Sequence, residues 1–401
     1  MIYLSSGEAA ARLGVSRQTL YAYVSRGLLR AEAGPSHRES RYLASNVEQL
    51  ANRRAKGRKP KEVAKAALNW GLPVLESEIT LIENGRAFYR GRDVIELAQS
   101  NSVEQVAALL WQCTIEDSFG TSAPRLADAM PTLMTNYRGR RAEEALLPLF
   151  TVASADAETA LWQKAPSRLA AGSTALVRLL AACLLDSMPA DAPLHEQCAH
   201  AWHVDQDGAD LIRMALILCA DHELNASSFA ARCIVSTGAS LRAGVIGGLA
   251  ALTGRRHGAT TARGEALLDE LEAGDVAQKM SDRLRRGEYL PGFGHPLYPN
   301  GDPRAEPLLA RILPHHPEWQ IILDQAFAWI GERPTIDFAL VALRRHLNLP
   351  VGAAFGIFAL GRSIGWIAHG LEQRMHPGII RPRAAYTGKP PKRESASHQN
   401  A

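Results

Sequence analysis

The chain has 401 residues, of which 46% are hydrophobic and 21% charged, with a net charge of +4. This length supports two or three domains around a sizeable core, and the composition is that of an ordinary globular protein, not a disordered or fibrous one. The charge is unevenly spread: residues 1–62 hold twelve Lys/Arg against five Asp/Glu, while the rest is slightly acidic, so the head is suited to an anionic partner.

Residues 1–55 read as a small helix-turn-helix unit. Ser5 and Glu8 have the spacing of a capping box, and Ala9, Ala10 and Leu13 give the following short helix an apolar face that Gly14 ends. Ser16 caps a second helix, Arg17 to Arg26, with Leu20, Tyr23 and Val24 at helical spacing. Two such helices joined by a tight turn place the second one as a groove reader. A two-stranded wing is expected around Leu28–Glu32 and Ser40–Leu43, followed by a third helix capped by Ser45. The unit is similar to the head domain of MerR-type regulators and phage excisionases. That resemblance implies DNA as a partner, with Arg17, Gln18, Thr19 and Tyr21 facing bases or phosphates and Arg38 and Arg41 serving the wing.

A basic linker over 56–64 has almost nothing to bury. Beyond it, Leu72–Ile82 and Asn84–Gly91 alternate well enough for a hairpin, and 93–98 and 103–111 are helical. From there the apolar period is close to 3.6 nearly everywhere, so the body is expected to be mainly α. The tail, 389–401, is polar and expected to be disordered. Cysteines 113, 183, 198, 219 and 233 show no paired spacing, which argues against a disulfide framework or a zinc site. No signal peptide is apparent, and the apolar stretches 243–252 and 351–360 are too short to span a bilayer. A cytoplasmic protein with no membrane partner is expected.

Candidate chemistry concentrates between Asp221 and Arg383. Asp221-His222-Glu223, His257-Gly258, Gly292-Phe293-Gly294-His295, Asp302-Pro303-Arg304, Pro334-Thr335-Ile336-Asp337, Arg362 and Arg381-Pro382-Arg383 put three histidines, an aspartate and several arginines at predicted helix ends. That inventory suits enolate chemistry on a substrate with more than one carboxylate, which needs a base for the α-proton, a donor for the enolate oxygen and cations for the carboxylates. Asp337, in a helix's first turn beside aliphatic and aromatic neighbours, suits the base, because apolar surroundings raise a carboxyl pKa. His257, at a helix start, suits a neutral donor. Arginines suit bidentate grip on a dicarboxylate.

Together these fragments resemble the citrate synthase family over roughly residues 65–388. The resemblance implies an all-helical homodimer with a large domain (65–257 and 346–388) and a small mobile domain (258–345), following the winged helix-turn-helix head. It implies condensation of acetyl-CoA with oxaloacetate to citrate, or of propionyl-CoA to 2-methylcitrate, with no permanently bound cofactor and no metal. By the same resemblance, Asp337 is the base, His257 holds the enol and His295 polarises the ketone. His222, Arg304 and Arg362 bind oxaloacetate, and Arg381 reaches the neighbouring subunit's site. The chain departs from the family's pattern at Cys219, where a histidine is frequent, at Gly258-Ala259-Thr260-Thr261 and at Pro296-Leu297-Tyr298-Pro299. In the last of these, two positive charges are missing from a loop expected near CoA. The alternative reading is a DNA-binding regulator whose body senses oxaloacetate or acyl-CoA; the intact trio of His257, His295 and Asp337 argues against it, since sensing needs no base.

Overall fold

The computed structural model describes residues 3–13, 15–25, 29–33, 40–44, 46, 47, 50, 75–159, 163 and 165–389. The expected linker over 56–64, Arg38, Ser45 and the tail from 390 lie outside the described residues. The chain divides into two compact units, Met1–Glu76 and Ser77–Ala401.

In the first unit, the capping box forms as the spacing requires. Ser5 N–H donates to Glu8 Oε2 at 2.8 Å and Glu8 N–H to Ser5 Oγ at 3.3 Å, starting helix Ser6–Leu13. Ser16 Oγ accepts from Thr19 N–H at 3.2 Å and starts helix Arg17–Ser25. Ala9, Ala10, Leu13 and Leu20 bury one face of the pair against Tyr42 and Val47. The wing carries more than the expected two strands. Ser40–Leu43 pairs antiparallel with Glu32–Ala33 and also with Tyr3–Ser5, so the chain's first strand makes a three-stranded sheet. A three-residue strand is too short to show alternation, which is why its sequence does not announce it.

The second unit opens with strands Thr80–Glu83 and Arg86–Tyr89, joined by Asn84-Gly85, and closed by Arg92–Asp93. Both turn residues have positive φ, 53° and 75°, the geometry for which Asn-Gly is favoured in a two-residue hairpin. Everything described beyond is helical or loop, apart from one isolated bridge, Phe293–Pro334.

The core is organised around helix Ala353–Gln373, whose residues are nearly all buried. A helix apolar on every side must be enclosed by others. Helices Gln206–Cys219, Ala226–Val235 and Leu241–Leu252 pack around it. Each fully buried large side chain along it, such as Phe355, Ile357, Leu360 or Ile364, contributes roughly 1.5–3 kcal/mol. Helix Pro166–Leu185 is long and apolar enough to cross a bilayer, but 72% of its apolar window is buried inside this body. Helices Thr260–Glu272 and Ile336–His346 are tied together by Glu265, which accepts from Arg344 at 2.8 and 2.9 Å and from Arg345 at 3.0 Å. That clamp matters because His257 precedes the first of these helices and Asp337 opens the second.

Candidate active site

Helix Gln206–Cys219 ends at the first site segment. Tyr89, from the hairpin, fixes its exit: the hydroxyl donates toward the Asp221 carbonyl at 2.9 Å and accepts Asp221 N–H at 3.0 Å. Asp221 Oδ2 accepts from the Thr80 hydroxyl at 2.6 Å, and Oδ1 faces His369 Nε2 at 3.2 Å. Burial alone would raise this carboxyl, but His369, Arg362 and Thr80 together hold it below the usual range. His222 is thereby presented into the body's interior. Its Nε2 lies 3.0 Å from the Tyr298 hydroxyl, and its ring stands edge-on to His295 at 5.2 Å between centroids. Burial, with Arg304 and Arg362 adding to it, holds His222 well below 6.5 and therefore neutral.

His295 follows two glycines with φ of +88° and +75°, which no L side chain adopts without strain. At Gly294 a Cβ would also run into the Glu332 carboxylate. The loop is pinned to the segment leading to Asp337: Thr335 N–H donates to the Gly292 carbonyl at 2.8 Å and Gly294 N–H to the Arg333 carbonyl at 2.9 Å. The Leu297 N–H donates to His295 Nδ1 at 3.2 Å, so the ring proton sits on Nε2. Burial, reinforced by Arg304, lowers His295 to about 4.

Asp302 links this loop to the next helix. It takes Arg304 bidentately, at 2.9 and 2.7 Å, and accepts Ile336 N–H at 3.1 Å. Asp337 is the neighbour of that capped amide, in the first turn of Ile336–His346. Among the described residues, its Oδ1 is buried without a hydrogen-bond partner and Oδ2 has only the Thr335 hydroxyl, at 3.4 Å. Burial raises it to about 6, against the pull of Arg304 and Arg362. The carboxyl is thus tuned toward neutral pH by desolvation, as its apolar neighbours in the sequence suggest.

His257 lies in the turn before helix Thr260–Glu272. Its Nε2 is 2.8 Å from Ser227 Oγ, which also accepts the indole N–H of Trp366 at 3.0 Å and lies 2.7 Å from Asn225 Oδ1. Its ring stands edge-on to Phe358 at 6.0 Å, and the Arg362 guanidinium lies 4.9 Å over the same Phe358 ring. Burial first, then Arg362, lowers His257 to about 3. The neutral imidazole expected from the sequence is present, but its cause is burial beside an arginine more than the helix start.

The two buried arginines differ. Arg304 is neutralised by Asp302, whereas Arg362, 1% exposed, donates through Nε to the Cys219 carbonyl at 2.7 Å and leaves Nη2 buried and unpartnered. Burial weakens its hold on its proton. An unmatched buried guanidinium is costly unless an anion completes it. Cys219 sits beside it with its thiol pushed by burial up to about 12, so this departure puts a neutral thiol where a titrating ring is frequent and leaves the backbone carbonyl to accept from Arg362.

Arg381 stands apart, exposed in the extended segment after the last helix; among the described residues, no hydrogen bond or ion pair connects it to this cluster. In the head, Arg17, Gln18 and Tyr21 are exposed on the second helix, while Thr19 is half-buried with its hydroxyl 2.9 Å from Ser16 Oγ. Arg41 lies over the Tyr3 ring at 4.3 Å and meets Glu32 at 3.4 Å. Sequence reasoning gave no role to Tyr298, Asp302, Ser227, Trp366 or Thr80; Asp302 alone carried a signal, its adjacency to Arg304 across a proline. A separate cavity of about 240 Å³, lined by Arg141, Glu143, Glu265 and Arg344, contains none of the candidate residues.

A family model described as citrate synthase, C-terminal domain, matches residues 67–383, and one for a helix-turn-helix domain matches 3–55. A citrate synthase of Haloferax volcanii is 29% identical over 358 residues, covering 80% of this chain and 94% of that protein. A 2-methylcitrate synthase of Mycobacterium tuberculosis is 34% identical over 188 residues, 43% of this chain and 47% of its own length. The crystal structure of citrate synthase from Thermotoga maritima superposes with a TM-score of 0.68 at 23% identity, covering 82% of this chain and 98% of that one. A ternary complex of Thermoplasma acidophilum citrate synthase with carboxymethyl coenzyme A and oxaloacetate gives 0.68 at 22% identity, covering 80% and 96%. At such identities the superpositions speak to the fold. The match across residues 67–383, most of the chain and all of the histidine, aspartate and arginine motifs, establishes that the protein belongs to the citrate synthase family.

Proposed function

We propose that the protein condenses an acyl-CoA, acetyl-CoA in the first instance, with oxaloacetate to give citrate and free CoA, without a permanently bound cofactor. The observation that carries this reading is the Asp337 carboxyl raised by burial to about 6 within the field of Arg304 and Arg362, in a body that also holds His257 and His295 neutral. Asp337 takes the α-proton of the thioester. His257 donates to the thioester oxygen as the enol forms; since its Nε2 faces Ser227, the donor is Nδ1, which requires the serine proton to point at Nε2. His295, protonated on Nε2, polarises the ketone of oxaloacetate for attack by the enol carbon. Arg304, Arg362 and His222 hold the two carboxylates, and Arg381 supplies a further cation from the partner subunit of a homodimer. The citryl thioester formed is then hydrolysed, releasing the thiol.

Residues 258–345 act as the mobile domain whose closure excludes water from this chemistry. Its clamped helix pair, held by Glu265, would carry Asp337 toward His257, which stays with Ser227 on the large domain. The head binds DNA, supported by its helix-turn-helix match and the exposed Arg17, Gln18 and Tyr21. Five free cysteines suit a reducing cytoplasm.

Thiol release from acetyl-CoA and propionyl-CoA in the presence of oxaloacetate tests the reading. Release should fall by roughly 10²–10⁴-fold in Asp337→Ala, the usual size of a general-base contribution, and comparably in His257→Ala. The faster thioester names the acyl preference. No release from either thioester, with oxaloacetate still raising the melting temperature, would replace the enzyme with a ligand-sensing body.

A further inference from the structure

The cavity of about 240 Å³ that lies apart from the candidate active site has walls from several elements. Arg141 and Glu143 stand at the start of helix Ala142–Ala153, and Glu265 and Asp269 belong to helix Thr260–Glu272. Arg344, near the end of helix Ile336–His346, completes the charged lining. Gly352, at φ +93°, keeps the space open, since a Cβ there would stand 2.8 Å from the Ala142 nitrogen and 3.1 Å from Glu143 Oε2.

Two of these charges are left unanswered. Glu265 is taken by Arg344 and Arg345 at 2.8 and 3.0 Å, and Asp269 by Arg345 at 2.5 Å. Glu143 Oε2, among the described residues, is buried without a hydrogen-bond partner. Arg141 is near enough to pull that carboxyl down, yet among the described residues it makes no ion pair with it or with another carboxylate. Burial nevertheless raises Glu143 above its ordinary value. An acid that merely complements a helix end needs no burial. A buried oxygen with nothing to meet it carries a desolvation cost that a ligand would offset.

An open carboxylate and an open guanidinium at one cavity suit an occupant that bears both charges. A diamine would leave Arg141 unanswered, and a dicarboxylate would meet Glu143 with like charge. The uncharged lining is small or apolar, with Ala262, Ala266, Val351, Ala354 and Phe355. We propose that this cavity binds a small aliphatic α-amino acid, its ammonium on Glu143, its carboxylate on Arg141 and its side chain against Val351 and Phe355. None of the candidate catalytic residues lines the cavity. The amino acid is therefore no substrate of the condensation, and its binding is read without turnover.

Calorimetric titration of the full-length protein with L-alanine, L-valine and L-leucine tests the assignment. At least one should bind. Glu143→Gln and Arg141→Gln, the latter at an exposed position, should each weaken it by at least about tenfold, the scale of one charge-assisted hydrogen bond. Arg140→Gln should bind as the native protein does, because that guanidinium lies 5.0 Å over the Tyr137 ring and not in the cavity wall. Putrescine and succinate, each with charge of one sign, should bind the native protein at least about tenfold more weakly. Failure of all three amino acids to bind would overturn the assignment, as would equal affinity in the Glu143 and Arg141 variants. Putrescine binding more tightly, and untouched by Arg141→Gln, would overturn it in favour of a plain cation site. Loss of affinity in Arg362→Met, with the Glu143 and Arg141 variants unaffected, would place the amino acid in the candidate active site and overturn it as well.

Discussion

Asp221 and Asp337 are carboxylates enclosed by the same helical body, yet their surroundings push them in opposite directions. Asp221 takes the Thr80 hydroxyl on one oxygen, faces His369 Nε2 across 3.2 Å with the other, and is held below its ordinary value, whereas Asp337 has only a long contact to Thr335 and is raised by burial to about 6. The networks behind them differ in the same way. His369 Nδ1 lies 3.5 Å from Arg232, which meets Glu372 and donates to Gln373 at 2.9 Å, and Glu372 accepts Glu78 N–H at 2.8 Å. Charges there answer one another and tie the hairpin to the central helix. Around Asp337 and Arg362 they do not, and unanswered buried charge is what a dicarboxylate substrate and a proton transfer need. Charge at Asp221 is scaffold; charge at Asp337 is held in reserve for a ligand.

The largest test of that division compares the two arginines. Arg304→Met leaves Asp302 buried without its cation and should cost about 3–5 kcal/mol, as breaking one side of a buried pair does. Arg362→Met removes a guanidinium that, among the described residues, no carboxylate meets directly, so the unliganded protein should lose less in urea denaturation than Arg304→Met does, its cost being the Cys219 carbonyl left without a donor and the support withdrawn from Asp221. Oxaloacetate should raise the melting temperature of the native protein but not of Arg362→Met. Equal destabilisation by both substitutions would erase the distinction between paired and reserved charge.

A smaller effect follows from pH. The folded value of Asp337, about 6, lies above the ordinary 3.8, so the stability it contributes is fully present below pH 3.8 and is lost as pH rises through 6. Asp337→Asn lacks this dependence. Relative to the variant, the native protein should therefore lose up to about 3 kcal/mol between pH 4 and 8, two pKa units' worth. Activity should move the other way, rising through pH 6 as the base ionises. Asp221→Asn should show the reverse: its depressed pKa gives stability at neutral pH that fades only on acidification. Urea midpoints for the three proteins at pH 3, 4 and 8 measure this, since Asp221 loses its contribution only below 3.8, and parallel lines would mean that the two carboxylates share one environment.

How much of this was legible in the sequence depends on whether a residue's meaning is local. Asp337, His257, His295, Arg304 and Arg362 sit in short motifs, and the capping box at Ser5 and the Asn84-Gly85 turn are set by neighbours within three residues. The partners are not local. Tyr298 meets His222 across 76 positions, Ser227 meets His257 across 30, and Trp366 meets Ser227 across 139. No spacing rule reaches that far, because pairing is chosen by how helices pack. The neutrality of His257 was readable, but burial and Arg362, which cause it, belong to tertiary structure.

Ser227 gives the finest comparison, between a residue that does chemistry and one that only aims it. Its hydroxyl carries one proton, and two acceptors compete for it: Asn225 Oδ1, which already takes the N–H groups of Ser227 and Ser228 at 3.1 Å, and His257 Nε2. The hydroxyl donates to Asn225 at 2.7 Å as it stands; turned toward His257 it would fix the imidazole as the Nδ1–H tautomer that an enol oxygen requires. Ser227→Ala removes that constraint and leaves the Trp366 indole N–H unmatched, while Asn225 keeps its cap on helix Ala226–Val235. The expected result is a fall of roughly tenfold in kcat, about 1.4 kcal/mol of lost orientation, with KM for oxaloacetate unchanged. A loss as deep as that of His257→Ala would make the serine a participant in proton transfer, and a raised KM for oxaloacetate would place its effect on substrate binding and not on the tautomer.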